Sequence, residues 1–174
     1  MSAPMEVITP ASASAVLQLL PPFPIVLVTT RTNVITINQL AYFTFSPLRL
    51  GIAVAHTRHS YGLLVEEREF VINIPHAQLL PAVQMCGCIS GKNRNKFQAA
   101  NLTPMPAAQV QAVALAEAPA HIECAVESTL EFEDRTWFIA KVLIARQLPE
   151  HLGTSALLCG RSHYYLPASP LSAR

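Results

Sequence analysis

Short polar clusters interrupt an otherwise apolar sequence, and each carries side chains suited to one kind of ligand. The first is Asn33-Val34-Ile35-Thr36-Ile37-Asn38-Gln39, followed by Thr44. On an extended strand Val34, Thr36 and Asn38 share a face. Neutral hydroxyls and amides presented together suit a heteroaromatic ring with mixed donors and acceptors, or they satisfy backbone groups at a strand end. The second cluster, His56-Thr57-Arg58-His59-Ser60, lies between a strand pattern and a helix pattern. A guanidinium, a hydroxyl and the free amides of a helix start favour an anion, phosphate in particular. The plain alternative is a solvated loop with a helix cap. The third is Ser90-Gly91-Lys92-Asn93-Arg94-Asn95-Lys96-Phe97, holding two of the chain's three lysines with Arg94 between them. A glycine-containing turn with these cations can reach a phosphate or the electron-rich edge of a bound ring, although a run of charge is commonly a solvated turn. Their coincidence in a chain poor in charge points to one phosphorylated cofactor.

Strands and short helices must bring these clusters together. Ala11–Leu20 reads as a helix closed by Pro21-Pro22. Ile25–Arg31 and Val34–Asn38, around Thr32-Asn33, predict a β-hairpin. Arg49–Ala55 is a third strand, entered through Ser46-Pro47. Ser60 can cap a helix running through Glu67, with Glu66 and Glu67 exposed beside Arg68. Phe70–Ile74 is a fourth strand, ended by Pro75. Ala77–Cys88 has helical spacing with Pro81 in its first turn, and the turn Ser90–Asn95 leads into a short helix over Lys96–Ala100. Residues 103–120, rich in Pro and Ala, read as a long apolar loop. His121–Phe132 and Thr136–Arg146 form a second hairpin across Glu133-Asp134-Arg135, and Leu157–Leu166 adds a last strand. Strands first, two inserted helices, then a long hairpin predict a mainly β protein, a small β-barrel with helical excursions. Residues 1–174 read as a single domain, with 1–22 a helical extension.

Composition bounds the function. The chain has 174 residues, 51% hydrophobic and only 13% charged, which excludes disorder and a highly charged coiled coil. A net charge of +1 creates no field to recruit nucleic acid or anionic lipid. With so few charges to dress a surface, part of it is expected to lie against a second copy of the chain. The uncharged stretch Val7–Thr30 contains Pro10, Pro21, Pro22 and Pro24, so no spanning helix is expected. Met1–Glu6 carries an acid and no Lys or Arg, which argues against a secretory leader. Cys86, Cys88, Cys124 and Cys159 read as reduced thiols of a cytoplasmic protein. Cys86 and Cys88 form C-x-C rather than C-x-x-C, and no metal site is expected. His121 and His163 have no acid placed to orient them. Ser155 and Ser162 lie outside any G-x-S-x-G, Trp137 reads as core, and no glycine-rich dinucleotide or P-loop motif occurs. No side chain is assigned a catalytic role.

In order and spacing these clusters resemble the flavin reductase-like family, with its FMN-binding split-barrel fold. Pro24-Ile25-Val26-Leu27-Val28-Thr29-Thr30 is similar to the family's opening strand. Asn33-Val34-Ile35-Thr36-Ile37-Asn38, then Phe45-Ser46-Pro47, resembles N-x-M-T-x-S/N…S-x-D-P. Arg58-His59-Ser60, then Glu69-Phe70-Val71-Ile72-Asn73-Ile74-Pro75, resembles R-x-[ST]…E-F-V-[VI]-N-x-P. Cys86-Gly87-Cys88-Ile89-Ser90-Gly91, then Lys96-Phe97, resembles C-G-x-x-S-G…D-K-F. The resemblance covers Pro24–Thr103, with weaker agreement over His121–Ala145 and Gly160–Tyr165.

This resemblance implies a homodimer of split barrels with FMN, or alternatively FAD, in the groove between subunits. By position, Thr36 and Asn38 would bond the isoalloxazine and ribityl region, with Thr44 nearby. Arg58, His59 and Ser60 would hold the phosphate. Ser90, Gly91 and Lys96 would close over the flavin, with Lys96 stabilising its reduced anion from the pyrimidine edge. NADH or NADPH would be the electron donor, and flavin, a monooxygenase or an electron-transfer protein the acceptor. The competing readings are a flavoredoxin-like FMN carrier without its own NAD(P)H oxidation and a flavin-free dimeric binding module. The sequence departs from the family pattern in a short first hairpin, in Gln39 for an aromatic residue, and in Ser46 and Asn95 for acids. Tyr42 or Phe43 is then left to cover the ring.

Overall fold

The computed structural model describes residues 16–17, 19–149, 157–160 and 164–166. After the two-residue strand β1 (Phe23–Pro24) come β2 (Val26–Thr29), β3 (Val34–Ile37), β4 (Leu40–Phe45) and β5 (Leu48–Ala55). Helix α1 (His59–Glu67) leads into β6 (Glu69–Ile74), and a 3₁₀ turn, Ala77–Leu79, opens α2 (Leu80–Cys88). Then follow α3 (Lys96–Ala99), β7 (Pro104–Pro106), β8 (Val113–Leu115), β9 (Ala120–Glu131), β10 (Arg135–Gln147), β11 (Leu158–Cys159) and β12 (Tyr164–Tyr165). The main sheet is a curled half-barrel with the order β3-β2-β6-β9-β10-β5-β4. Every neighbouring pair in it is antiparallel. This is the mainly β, split-barrel architecture read from the sequence.

Alternation along the strands builds the barrel interior. Ile35, Ile37, Ile52, Val54, Phe70, Ile72, Cys124, Val126, Phe138 and Ala140 form one buried cluster, each strand contributing every second residue. Phe70 and Phe138 are both at most 1% exposed, and truncating either to Ala would cost about 3–5 kcal/mol. The opposite face of the first hairpin is buried too. Leu27 and Val34 pack with Ala82, Val83 and Cys86 of α2 and with Phe97 and Leu115. That is why Val26–Thr29 is buried along its whole length and reads as a continuous apolar run.

Several elements differ from the sequence reading. β4 was not anticipated: it is the sheet edge, and Tyr42, Phe43, Thr44 and Phe45 are all exposed. A strand with no buried face has no alternation to reveal it. The stretch 103–120 is not loop throughout, since β7 and β8 pair within it. Its backbone is captured by side chains of the main sheet. Glu123, fully buried, accepts from Ala108 N at 2.9 Å and Gln109 N at 2.6 Å, and Arg146 Nη2 reaches it at 2.7 Å. Glu69 accepts from Gln111 N and Ala112 N. Asn73 accepts from Leu115 N at 2.9 Å while its own amide donates to Leu27 O and Thr29 Oγ1, each at 3.0 Å. The helix expected over Ala11–Leu20 lies mostly outside the described residues. The expected last strand appears as β11 and β12, which form a small separate sheet with β1.

Candidate functional site

The turn after β5 carries the second polar cluster to the start of α1. Arg58, in extended conformation, occupies the cap position, and no side chain caps the helix. Ser60 is therefore not the cap. It lies inside the first turn, 2% exposed, and its hydroxyl accepts from Asn33 Nδ2 at 2.7 Å. A helix start without a side-chain cap keeps donors free for an anion. Gly91 arrives from the third cluster, and a Cβ there would overlap the Asn33 carboxamide. Glycine is needed for that close approach. Through Asn33, Ser60 and Gly91 all three polar clusters meet.

Lys96 completes this cleft. It opens α3 behind Asn95, whose Oδ1 accepts from Gln98 N. It is only 5% exposed, and its Nζ donates to Cys86 O at the end of α2 at 2.7 Å. One ammonium donor is thereby used and the others are available. Burial holds the Lys96 pKa below its ordinary value; Cys86 opposes that shift and neighbouring Arg58 adds to it. Burial likewise pushes the Cys86 thiol up to about 11, with Lys96 pulling the other way. Among the described residues no carboxylate pairs with Lys96 or Arg58. Arg58, His59, Ser60, Ser90, Gly91 and Lys96 line a cleft of about 60 Å³. The space suits a small tetrahedral anion rather than a ring, which needs a pocket of several hundred Å³.

The other expected site residues lie elsewhere. Asn38, exposed, lines a second and larger cleft of about 610 Å³ together with Gln39, Arg135, Trp137 and Cys159. Arg135 holds Asp134 through Nε at 2.9 Å and Nη2 at 2.5 Å and donates from Nη1 to Gln39 Oε1. Hydrogen bonding to Arg135 keeps the Asp134 carboxyl below its usual range. Thr36 is half-buried and donates to Val83 O at 2.6 Å, fastening α2 to β3. Thr44 donates to Pro47 O at 2.6 Å on the exposed edge strand. Neither threonine lines either of these two clefts.

Of the aromatic residues considered as a ring cover, Phe43 packs edge-on against Trp137 with centroids 5.8 Å apart, and Tyr42 is 66% exposed. Trp137 is half-buried at the wall of the larger cleft rather than a core residue. His121 Nε2 meets Leu115 O at 2.8 Å, a contact in which the ring must donate. His163, Ser155 and Ser162 fall outside the described residues. Sequence reasoning did not assign Asn33 or the Cys86 carbonyl to the site, nor the pairing of Gln39 with Arg135. Asn33 stood within the first cluster, but a main-chain carbonyl has no sequence signal.

Among known proteins the chain is 34% identical over 113 residues to an uncharacterized protein of Archaeoglobus fulgidus, a match covering 65% of this chain and 64% of that relative. Its fold is that of the flavoredoxin of Desulfovibrio vulgaris (Miyazaki F), with a TM-score of 0.83 and 22% identity over 99% of this chain and 97% of the other. It is equally similar in fold to an NADH:FAD oxidoreductase of Streptomyces globisporus C-1027, with a TM-score of 0.83 and 20% identity over 96% and 100% of the two chains. Likeness at these identities concerns the fold. The family model described as "Flavin reductase like domain" matches residues 20–166, which include both clefts apart from Leu17, and the chain belongs to that family.

Proposed function

We propose that the chain is an FMN-binding oxidoreductase that takes electrons from NADH or NADPH and passes them to its flavin or to a further acceptor. The observation that carries this reading is Lys96. Lys96 is 5% exposed, its ammonium is bonded to one carbonyl and, among the described residues, to no carboxylate, and it lines a cleft shared with Arg58 and Ser60. Such a charge calls for an anionic ligand, because unpaired burial costs several kcal/mol. FMN fits. Lys96, Arg58, His59 and Ser60 would hold its phosphate through charge-assisted hydrogen bonds, and Ser90 and Gly91 would close the turn over it. Ile35 lines the anion cleft and Asn38 the larger one. Those residues are about 10 Å apart on extended chain, a span suited to a ribityl linker. Asn38 would then face the ring, while Thr36 positions α2 and Thr44 lies outside both clefts. When bound, the flavin supplies the hydride and single-electron chemistry. The side chains neutralise its phosphate, orient it and need form no covalent bond.

The exposed edge residues Tyr42 and Phe45, 66% and 77% accessible, support burial against a second copy. Four unpaired cysteines support a reducing compartment such as the cytoplasm. Among the described residues no helix is long and apolar enough to cross a membrane. The deciding experiment is the visible spectrum of the purified protein with FMN, followed without air after adding NADH or NADPH. Bleaching within seconds establishes the reductase. Bleaching only with a protein donor or dithionite identifies a flavoredoxin-like carrier. Failure to take up FMN leaves a flavin-free module and overturns the proposal.

A further inference from the structure

The larger cleft differs in chemistry from the anion cleft. Among the described residues its one cation is Arg135, already matched by Asp134 through two hydrogen bonds, so a neutral ligand suffices. A guanidinium can only donate. Its Nη1 contact with Gln39 Oε1 therefore fixes the amide, with oxygen toward Arg135 and NH₂ directed away from it. Beside this oriented donor stands the indole of Trp137, with Leu20, Phe23 and Leu40 completing an apolar wall. About 610 Å³ is ample for a small ring beyond the edge that Asn38 occupies.

We infer that the larger cleft selects a flat neutral ring bearing a carbonyl oxygen, which Gln39 reads through its amide N–H and Arg135 positions. Resting on the flavin reading above, this ring is the flavin's reaction partner. The shared chemistry belongs to the carboxamide of a nicotinamide and to an aromatic ketone or aldehyde alike. Gln39 is the specificity residue, and Arg135 a positioning residue acting through it.

The test uses the full chain, with and without FMN. Flavin fluorescence scores FMN uptake separately. Acetophenone, nicotinamide and ethylbenzene are titrated by calorimetry into the FMN-loaded protein. In flavin-free protein, binding is followed through Trp137, the chain's one tryptophan. Acetophenone is expected to bind roughly 5–10-fold more tightly than ethylbenzene, the worth of one hydrogen bond. Gln39→Met, which keeps the length but lacks the N–H, abolishes that preference. Gln39→Glu, offering only acceptors, does the same and serves if the methionine variant does not fold. Arg135→Met narrows the preference because the amide is free to turn. Tight binding of nicotinamide as well marks a seat for the electron donor; preference for acetophenone alone marks a seat for the acceptor. Equal affinity for acetophenone and ethylbenzene overturns the inference, as does a preference that survives Gln39→Met. Exclusion of all probes by bound FMN also overturns it, because the cleft would then belong to the flavin ring. Absence of FMN uptake with Gln39-dependent probe binding overturns the flavin reading and leaves the carbonyl seat standing.

Discussion

The carboxamide of Asn33 donates to the hydroxyl of Ser60 at 2.7 Å, though the two lie 27 residues apart, and it presses on Gly91 from its other side. This contact joins the first hairpin, the start of α1 and the 90–95 turn into one wall. Gly91→Ala is expected to displace Asn33, destabilise the fold by about 1–3 kcal/mol and weaken FMN binding at least ~10-fold. Asn33→Ala alone removes the bond to Ser60 and costs about 1–2 kcal/mol. The double variant should cost less than the sum, because the overlap vanishes with the carboxamide. Thermal melts and flavin fluorescence titrations of the four proteins check this, and strict additivity would separate the two residues.

Lys96→Met should weaken FMN binding roughly 10–100-fold, the worth of a charge-assisted hydrogen bond in a buried site, and leave riboflavin, which lacks the phosphate, unaffected. The flavin-free variant should melt no lower than the parent, because a desolvated charge has been removed. The depressed Lys96 pKa means that its proton is lost at lower pH than from an ordinary lysine. FMN affinity therefore declines on the alkaline side as pH rises through that value, and Lys96→Arg flattens the decline.

Glu123 predicts acid sensitivity. Burial opposes its ionisation, yet the N–H groups of Ala108, Gln109 and Val110 and the Arg146 guanidinium outweigh that, and its pKa lies below the ordinary 4.5. Its contribution to stability is complete above about 4.5 and is lost as pH falls through the depressed folded-state value. Glu123→Gln turns an amide toward backbone donors and should cost about 2–4 kcal/mol at neutral pH. Urea unfolding at a series of pH values should show the variant's stability falling less steeply below pH 4.5 than the parent's.

Asn73→Asp keeps the acceptor for Leu115 N but replaces donors to Leu27 O, Thr29 Oγ1 and Val71 O with carboxylate oxygens. We expect a loss of about 3 kcal/mol or more, seen as a lower urea midpoint, with faster hydrogen exchange over β8. Unchanged exchange there would mean that the 103–120 segment is held by Glu69 and Glu123 without Asn73.

The meeting of Arg58, Ser60, Gly91 and Lys96 in one cleft was legible in the sequence because charge is scarce: Arg58 and Lys96 stand out against an apolar background, and Ser60 and Gly91 mark their turns. What holds those groups was not legible. Lys96 is bonded to the Cys86 carbonyl, which no motif records, and Ser60 receives a side chain from another hairpin rather than capping its own helix. The β7–β8 pair escaped notice because its anchors, Glu69 and Asn73, lie about 40 residues upstream. β4 escaped because its side chains face solvent, and edge strands of that kind follow pairing rather than hydrophobic period.

The four residues of β3 place Ile35 in one cleft and lead directly to Asn38 in the other. Their period is two, so losing or gaining one residue exchanges the Ile35–Ile37 face with that of Val34 and Thr36 along the whole strand. Point changes at Arg58 or Gln39 can retune one cavity while sparing its neighbour. A single-codon insertion or deletion between Val34 and Ile37 disables both together, so descendants of this gene can vary their ligands by substitution but must keep the length of this strand.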